Sequence, residues 1–176
     1  MTVPITAPTI AALNELDRDA FVAALDGIVE HSPEVAAEVW SWRPFADIDA
    51  LHDAIATVLR ELDDADALAL IRAHPRLGSR RPMAERSVGE QAGAGITSAD
   101  DDRRGRLDEL NAAYDARFGF PFVIAVKGLG PDDVLAALTA RLAHDAATER
   151  HEAVDQIVRI AGYRLHDLFA DPRSPA

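Results

Sequence analysis

One short stretch of the chain, residues 71–95, holds the side chains best suited to acid–base chemistry. His74, Ser87, Glu90 and Gln91 supply an imidazole, a hydroxyl, a carboxylate and a carboxamide. An imidazole titrates near neutral pH, and a carboxylate within hydrogen-bonding reach fixes its tautomer and stabilises its charged form. The hydroxyl and the carboxamide are suited to binding amide or urea groups. These residues predict proton transfer on a bound small molecule, provided that the stretch folds back on itself.

The same residues also carry signals for helix ends. Helices usually end at or before the residue that precedes a proline, and His74 is followed by Pro75, so His74 is expected at a helix C-terminus. Ser87 and Glu90 have the Ser-x-x-Glu spacing of a capping box, which by itself predicts only the start of a helix. This structural role is compatible with a catalytic one.

Charge and composition limit the classes of partner. The chain of 176 residues has 18 Lys and Arg against 30 Asp and Glu, and its formal net charge of -12 opposes binding to nucleic acid or anionic membranes. Cysteine is absent, which excludes disulfides and thiolate catalysis and fits a reducing compartment. The sequence has no long apolar run and no basic, apolar leader at its start, so we expect a cytoplasmic protein.

The stretch around His74 reverses this charge locally. Arginines in such number suit a site for an anionic small molecule, although a solvated loop carries arginines equally well. The residues concerned are Arg72, Arg76, Arg80, Arg81 and Arg86.

Apolar residues elsewhere recur every three to four positions, which predicts helices. We expect one all-α domain over residues 1–176, with its core at about 10–170 and about eight helices packed as an irregular bundle. Asp17 or Asp19 and Asp47 or Asp49 are suited to cap two of the helices. The last helix is predicted from about residue 145 to residue 169, with Arg164 beside its apolar face.

Residues 120–126 are the exception to the helical pattern, because they are aromatic and β-branched without amphipathic spacing. A single strand would have no partner, since the chain contains no second β-rich run. We therefore predict a buried extended segment that lines the interior.

Other catalytic chemistries lack their sequence signals. No two of the six histidines have the i, i+4 spacing of a helical metal site, and no Gly-x-Ser-x-Gly nucleophile motif is present. The two Gly-x-Gly sequences do not continue into a phosphate-binding loop. We expect neither a metal nor a cofactor.

A set of short motifs follows in order over roughly residues 10–170. The motifs are Glu30-His31-Ser32-Pro33, Arg43-Pro44-Phe45, His74-Pro75, Ser87-x-x-Glu90-Gln91 with Gly95, Leu110-Asn111-x-x-Tyr114, Phe118-Gly119-Phe120-Pro121-Phe122 and Ile160-x-x-x-Arg164-Leu165. Each motif is common by itself, but their order and spacing together are specific. Together they resemble one known family, the 2-oxo-4-hydroxy-4-carboxy-5-ureidoimidazoline (OHCU) decarboxylases.

The resemblance implies an all-α, cofactor-independent lyase, commonly a homodimer, that catalyses the last of three steps from urate to S-allantoin. It implies that His74 is the acid–base residue and that Glu90 works with it. Arg76 stands where the family often has an acidic residue, which changes the local field at His74. The positions that match substrate contacts are Pro75, Ser87, Gln91, Arg164 and, through the backbone, Phe122 and Ile124.

Two other functions remain open at this point. The first is a non-catalytic helical protein that keeps the pocket for ligand binding, although such a protein would be expected to have lost His74 or Glu90. The second is a different lyase or hydrolase that acts on a ureido-type substrate, which only an assay distinguishes from the decarboxylase.

Overall fold

The computed structural model describes residues 8–78, 90–92, 95 and 101–170, and it confirms the predicted all-α fold. Within these ranges no helix combines the length and the apolar character needed to cross a lipid bilayer. Residues 90–92 are also helical. The other helices are α1 (Ile10–Asn14), α2 (Arg18–Ala24), α3 (Pro33–Val39), a 3-10 helix (Trp40–Trp42), α4 (Ile48–Arg60), α5 (Asp64–Ala73), α6 (Asp101–Phe118), α7 (Pro131–Arg141) and α8 (Ala146–Phe169).

Aspartate side chains cap the starts of several helices. Asp17, Asp47 and Asp145 each accept a hydrogen bond from the backbone amide three residues further on, which confirms the predicted caps of α2 and α4 and shows a similar cap on α8. Such caps satisfy amides that have no partner inside the helix, and they typically contribute about 1 kcal/mol each. Helix α5 is capped in the same way by Asp63.

Helix α2 is shorter than the spacing of its apolar residues predicts. Ile28 and Val29 continue the apolar spacing of Phe21 and Leu25 and so predict a longer helix, but the helix ends at Ala24. The chain then turns at Gly27, whose φ of +74° lies in the left-handed region that glycine adopts without steric cost. Ile28 and Val29 remain buried in the connection that follows. This turn carries Glu30 into the interior of the bundle, where its exposed fraction is 1%.

Helix α8 packs closely against α4, because a glycine lies where they meet. A Cβ atom at Gly162 would lie 2.9 Å from Nε2 of His52, which is closer than such contacts normally allow. The same nitrogen of His52 lies 2.8 Å from the carbonyl oxygen of Val158, so its ring bonds the α8 backbone. The close approach fixes α8, and therefore Arg164, against the rest of the bundle.

Residues 120–126 form the predicted extended segment. Gly119 ends α6 with a φ of +74°, and Val123 and the ring of Phe122 are buried. The amide of Ala125 donates to Oε1 of Gln156 on α8 at 2.9 Å. No strand occurs in the described part of the chain, so side chains satisfy backbone groups of this segment in place of a neighbouring strand.

Candidate active site

His74 is the C-cap of α5, as its position before a proline predicts. The residue is 5% exposed, and its Nδ1 lies 3.0 Å from the carbonyl oxygen of Leu70. A carbonyl only accepts hydrogen bonds, so Nδ1 carries the proton in this contact. Nε2 is buried, and the described residues offer it no hydrogen-bond partner. The neutral ring therefore presents the lone pair of Nε2 as a base.

Within the described ranges, the charges of Glu30, Arg164 and Glu90 act on this imidazole. Burial lowers the pKa of His74 below its ordinary value of 6.5, because the charged form is poorly solvated. The bond to Leu70 and the charges of the two glutamates oppose this shift, whereas the charge of Arg164 adds to it. The balance keeps the ring neutral at neutral pH, which is the state that a general base requires.

Arg164 connects the two glutamates. Its Nε and Nη2 donate to Oε1 and Oε2 of Glu90 at 2.7 and 2.9 Å, which is a bidentate pair. Its Nη1 donates to the carbonyl oxygen of Gly27 at 2.9 Å and to Oε2 of Glu30 at 3.1 Å. Burial works to lower the pKa of Arg164, but the bonds and charges of the glutamates outweigh it and raise the pKa. We call Glu30, His74, Glu90 and Arg164 the Arg164 cluster.

The turn that follows His74 is anchored by two carboxamides. Asn111 on α6 donates from Nδ2 to the carbonyl oxygen of Leu77 at 3.1 Å. Oε1 of Gln91 accepts a hydrogen bond from the backbone amide of Gly78 at 2.9 Å. The oxygen of this predicted substrate-binding side chain therefore bonds the protein's own backbone. Asn111 and Gln91 are both buried, and Pro75, which follows His74 in the chain, is partly buried. These bonds fix the path of the chain beside the imidazole.

The structure brings together three of the predicted site residues, His74, Glu90 and Arg164. Ser87 lies outside the described residues. The ring of Phe122 packs edge-on against Tyr114 in the core, with centroids 5.2 Å apart, so a substrate contact there would use the backbone. Contacts of substrate with Phe122 and with the partly buried Ile124 stay predictions.

Two of the five arginines near His74 have structural partners. Nε of Arg72 donates to the carbonyl oxygen of Gly119, and Arg76 pairs with Asp115 at 3.3 Å. Arg80, Arg81 and Arg86 lie outside the described residues. Across the described ranges, no group of three His, Asp or Glu side chains is arranged to hold a metal ion.

A second buried charged cluster was not predicted from the sequence. Oε1 of Glu149 accepts from Nε of Arg141 at 2.8 Å and from the hydroxyl of Tyr114. Oε2 of Glu149 accepts from Nδ1 of His144 at 2.8 Å, and Nη1 of Arg141 donates to the carbonyl oxygen of Val123 at 2.7 Å. Burial raises the pKa of Tyr114, which keeps its hydroxyl protonated as a donor. We call Tyr114, Arg141, His144 and Glu149 the Arg141 cluster.

The sequence does contain a signal for this second cluster. Arg141 continues the buried stripe of Val134 and Leu138 on α7, and Glu149 precedes Ala153 by one turn on the buried face of α8. Charged residues are rarely buried unless they are paired, so a charge inside an apolar stripe indicates an internal ion pair.

Comparisons with known proteins point to one family. The OHCU decarboxylase family model matches residues 14–166. The 2-oxo-4-hydroxy-4-carboxy-5-ureidoimidazoline decarboxylase of Haloferax volcanii is 41% identical over 162 residues, which cover 92% of this chain and 96% of that protein. The uric acid degradation bifunctional protein of Bacillus subtilis is 37% identical over 163 residues, 93% of this chain but only 33% of that longer protein.

A solved structure shares the fold. The crystal structure of (S)-allantoin synthase superposes with a TM-score of 0.76 at 28% identity, and the match covers 92% of this chain and 54% of that one. The family model spans most of the chain, and the Haloferax volcanii relative is matched over nearly its whole length. The chain therefore belongs to the OHCU decarboxylase family.

Proposed function

We propose that this protein is an OHCU decarboxylase, which forms S-allantoin from 2-oxo-4-hydroxy-4-carboxy-5-ureidoimidazoline in urate degradation. Family membership and the names of the matched proteins support the reaction. The observation that carries the proposal on the structural side is the buried Nε2 of His74. It is a base without a hydrogen-bond partner among the described residues. The charges of Glu30 and Glu90 favour its protonation, and the charge of Arg164 opposes it.

The substrate supplies its own electron sink. One of its carbons bears both a carboxylate and a hydroxyl, and it adjoins a C=N bond at the carbon that bears the ureido group. When the bond to the carboxylate breaks, its electron pair moves towards the C=N bond, the nitrogen takes up a proton from solvent, and CO2 leaves. The product of this step is an enol-like intermediate, so the reaction needs no metal or pyridoxal phosphate to hold the electrons.

His74 moves protons between oxygen and carbon. Nε2 accepts the proton of the substrate hydroxyl, whose oxygen becomes the carbonyl of allantoin. The ureido-bearing carbon takes up a proton, and the imidazolium is the acid nearest to it. Delivery from one side gives the S product, whereas the same intermediate in water is protonated on both faces. A base of this kind typically contributes ~10²–10⁴-fold in rate.

Glu90 and the residues around it hold the substrate and the imidazole. The carboxylate of Glu90 stabilises the imidazolium after proton transfer, and Arg164 holds that carboxylate in a fork of two hydrogen bonds. We assign substrate contacts to Pro75, Ser87, Gln91 and Arg164, and to the backbone at Phe122 and Ile124, because these positions match the family motif.

The test is to generate OHCU from urate with the two preceding enzymes and to follow S-allantoin by circular dichroism. We expect rapid appearance of one enantiomer, against slow formation of racemate without the protein. A non-catalytic binding protein would leave the rate and the racemic product unchanged. A hydrolase acting on the ureido group would release ammonia, which the decarboxylase does not, so measuring ammonia beside S-allantoin separates the two enzyme classes.

We further propose that the protein is a single-domain, cytoplasmic homodimer that does not bind nucleic acid or membranes. The family resemblance supports the dimer, and the net charge of -12 and the absence of cysteine support the rest. Light scattering coupled to gel filtration should give twice the chain mass of 19.0 kDa, and a mass of one chain would reject the dimer.

A further inference from the structure

Glu30 is a buried carboxylate that the proposed reaction leaves without a role. It lies in the connection between α2 and α3 with an exposed fraction of 1%. Its Oε2 accepts from Nη1 of Arg164 at 3.1 Å, and the same nitrogen donates to the carbonyl oxygen of Gly27 at 2.9 Å. The turn at Gly27 thus presents two acceptors to one nitrogen of the guanidinium.

These two contacts at Nη1 also determine where Nε and Nη2 of Arg164 point. A guanidinium is planar and rigid, so fixing Nη1 also fixes where Nε and Nη2 point. Those two nitrogens donate to the two carboxylate oxygens of Glu90 at 2.7 and 2.9 Å. Glu30 therefore acts on Glu90 through Arg164, and the side chain of Glu90 is the more exposed of the two glutamates, at 29% against 0%.

The charges of the Arg164 cluster give Glu30 a second effect. Its four side chains include two carboxylates and one guanidinium, so their summed charge is negative while His74 is neutral. The summed charge becomes zero when His74 carries a proton. A positive charge stabilises a buried carboxylate, and a protonated His74 adds such a charge to the cluster that contains Glu30. His31, which follows Glu30 in the chain, places Nε2 3.8 Å from Oε1 and has a side chain that is 69% exposed, so solvent screens its charge.

We propose that Glu30 is a positioning residue of the decarboxylase site: it orients Arg164 and Glu90, and it supplies the counter-charge for the imidazolium that His74 forms. The inference rests on the proposed function, because it assigns the proton to His74 during the reaction. A purely structural Glu30 would resemble Glu149, which is equally buried against an arginine but belongs to the Arg141 cluster.

The test compares Glu30→Gln with Glu149→Gln as the matched control. We expect Glu30→Gln to lower kcat on the order of 10²-fold with little change in KM, because misplaced groups lose their alignment in the transition state. Glu149→Gln should lower the melting temperature, and its kcat per folded molecule should fall far less than that of Glu30→Gln, because Glu149 acts on the site only through the segment 120–126. Equal kcat values for wild type and a folded Glu30→Gln protein would overturn the proposal.

A second readout does not depend on activity. The ring nitrogens of His74, assigned by comparison with His74→Asn, are titrated by 15N NMR in the wild type and in Glu30→Gln. Removing the negative charge should move the titration of His74 to lower pH, and an unchanged midpoint would contradict the counter-charge role. Because this measurement needs no substrate, it tests Glu30 even if the wild-type protein fails to decarboxylate OHCU, which would reject the proposed function alone.

Glu30→Asp keeps the test decisive if Glu30→Gln does not fold. The shorter side chain retains the charge but draws its oxygens away from Nη1 of Arg164. We expect the His74 midpoint to stay near the wild-type value while kcat falls several-fold. Wild-type kcat in Glu30→Asp, together with an unfolded Glu30→Gln, would assign Glu30 to stability and overturn the proposal.

Discussion

Two arginines, Arg141 and Arg164, are buried in the described part of the bundle, and their surroundings are similar but their hydrogen bonds are arranged differently. Each arginine is paired with a buried carboxylate and also donates to a backbone carbonyl oxygen. Arg164 donates to the carbonyl of Gly27, and Arg141 donates to the carbonyl of Val123. In the Arg141 cluster one glutamate, Glu149, accepts every side-chain bond. In the Arg164 cluster two carboxylates share one arginine, and an imidazole nitrogen among the described residues has no partner.

This difference separates a structural network from a reactive one. A buried network whose donors and acceptors are all paired makes the local structure rigid, and it has no group left to bind a substrate. An unpaired buried nitrogen costs free energy unless a ligand or another group uses it. The Arg141 cluster is thus suited to fixing the segment 120–126 between α7 and α8, and the Arg164 cluster is suited to proton transfer.

Replacing His74 should give the largest decrease in activity and should leave stability nearly unchanged. His74→Asn keeps an amide that can donate to the carbonyl of Leu70, but it has no base at the position of Nε2. We expect kcat to fall ~10²–10⁴-fold with a melting temperature near that of the wild type. Circular dichroism serves for both measurements, and near-wild-type turnover in the folded variant would rule out His74 as the acid–base residue.

Replacing Glu149 should mainly lower stability. Glu149→Gln leaves Arg141 buried without a counter-charge, which typically costs about 3–5 kcal/mol in the free energy of unfolding. Urea denaturation measures the loss, and kcat corrected for the folded fraction should fall far less than in His74→Asn, because Glu149 acts on the site only through the segment 120–126. A large decrease in kcat without loss of stability would show that the Arg141 cluster takes part in catalysis, and the comparison would fail.

Asn111 should give a smaller, mixed effect, because it holds the turn beside His74 from outside the site. Asn111→Ala leaves the carbonyl of Leu77 without this donor, which is expected to cost about 1–3 kcal/mol in stability and to lower kcat less than His74→Asn does. Thr139→Ala is the control, since it removes an exposed hydroxyl bond to Leu135 and should change stability by less than about 0.5 kcal/mol. An effect of Asn111→Ala no larger than that of the control would show that the turn does not depend on this bond.

Local sequence signals predicted much of the fold and part of the site. Aspartate caps, the proline after His74 and the glycine after α6 each depend on a few neighbouring residues, so they can be recognised without tertiary information. The extended segment at 120–126 was predicted because its composition has no helical spacing. His74 and Glu90 stood out because their types and surroundings suit proton transfer.

The remaining features depend on contacts between residues far apart in the chain. Arg164 bonds Glu30 and Gly27 across more than 130 positions, with sequence separations of 134 and 137. The end of α2 at Ala24 was missed because Ile28 and Val29 continue its apolar spacing, although the turn at Gly27 takes them out of the helix. The Arg141 cluster was missed for a similar reason, since it joins side chains from α6, α7 and α8.

The central claim, that Nε2 of His74 is the base, is tested most directly by the pH dependence of kcat/KM for OHCU decarboxylation. Burial lowers the pKa of His74 below 6.5, so the neutral base persists at neutral pH and is lost only as pH falls through that lowered value. We predict a plateau around pH 7 and an acid limb below pH 6.5, with the same midpoint that 15N NMR gives for His74 in the free protein. A limb above pH 6.5, or one whose midpoint differs from the titration of His74, would contradict the account.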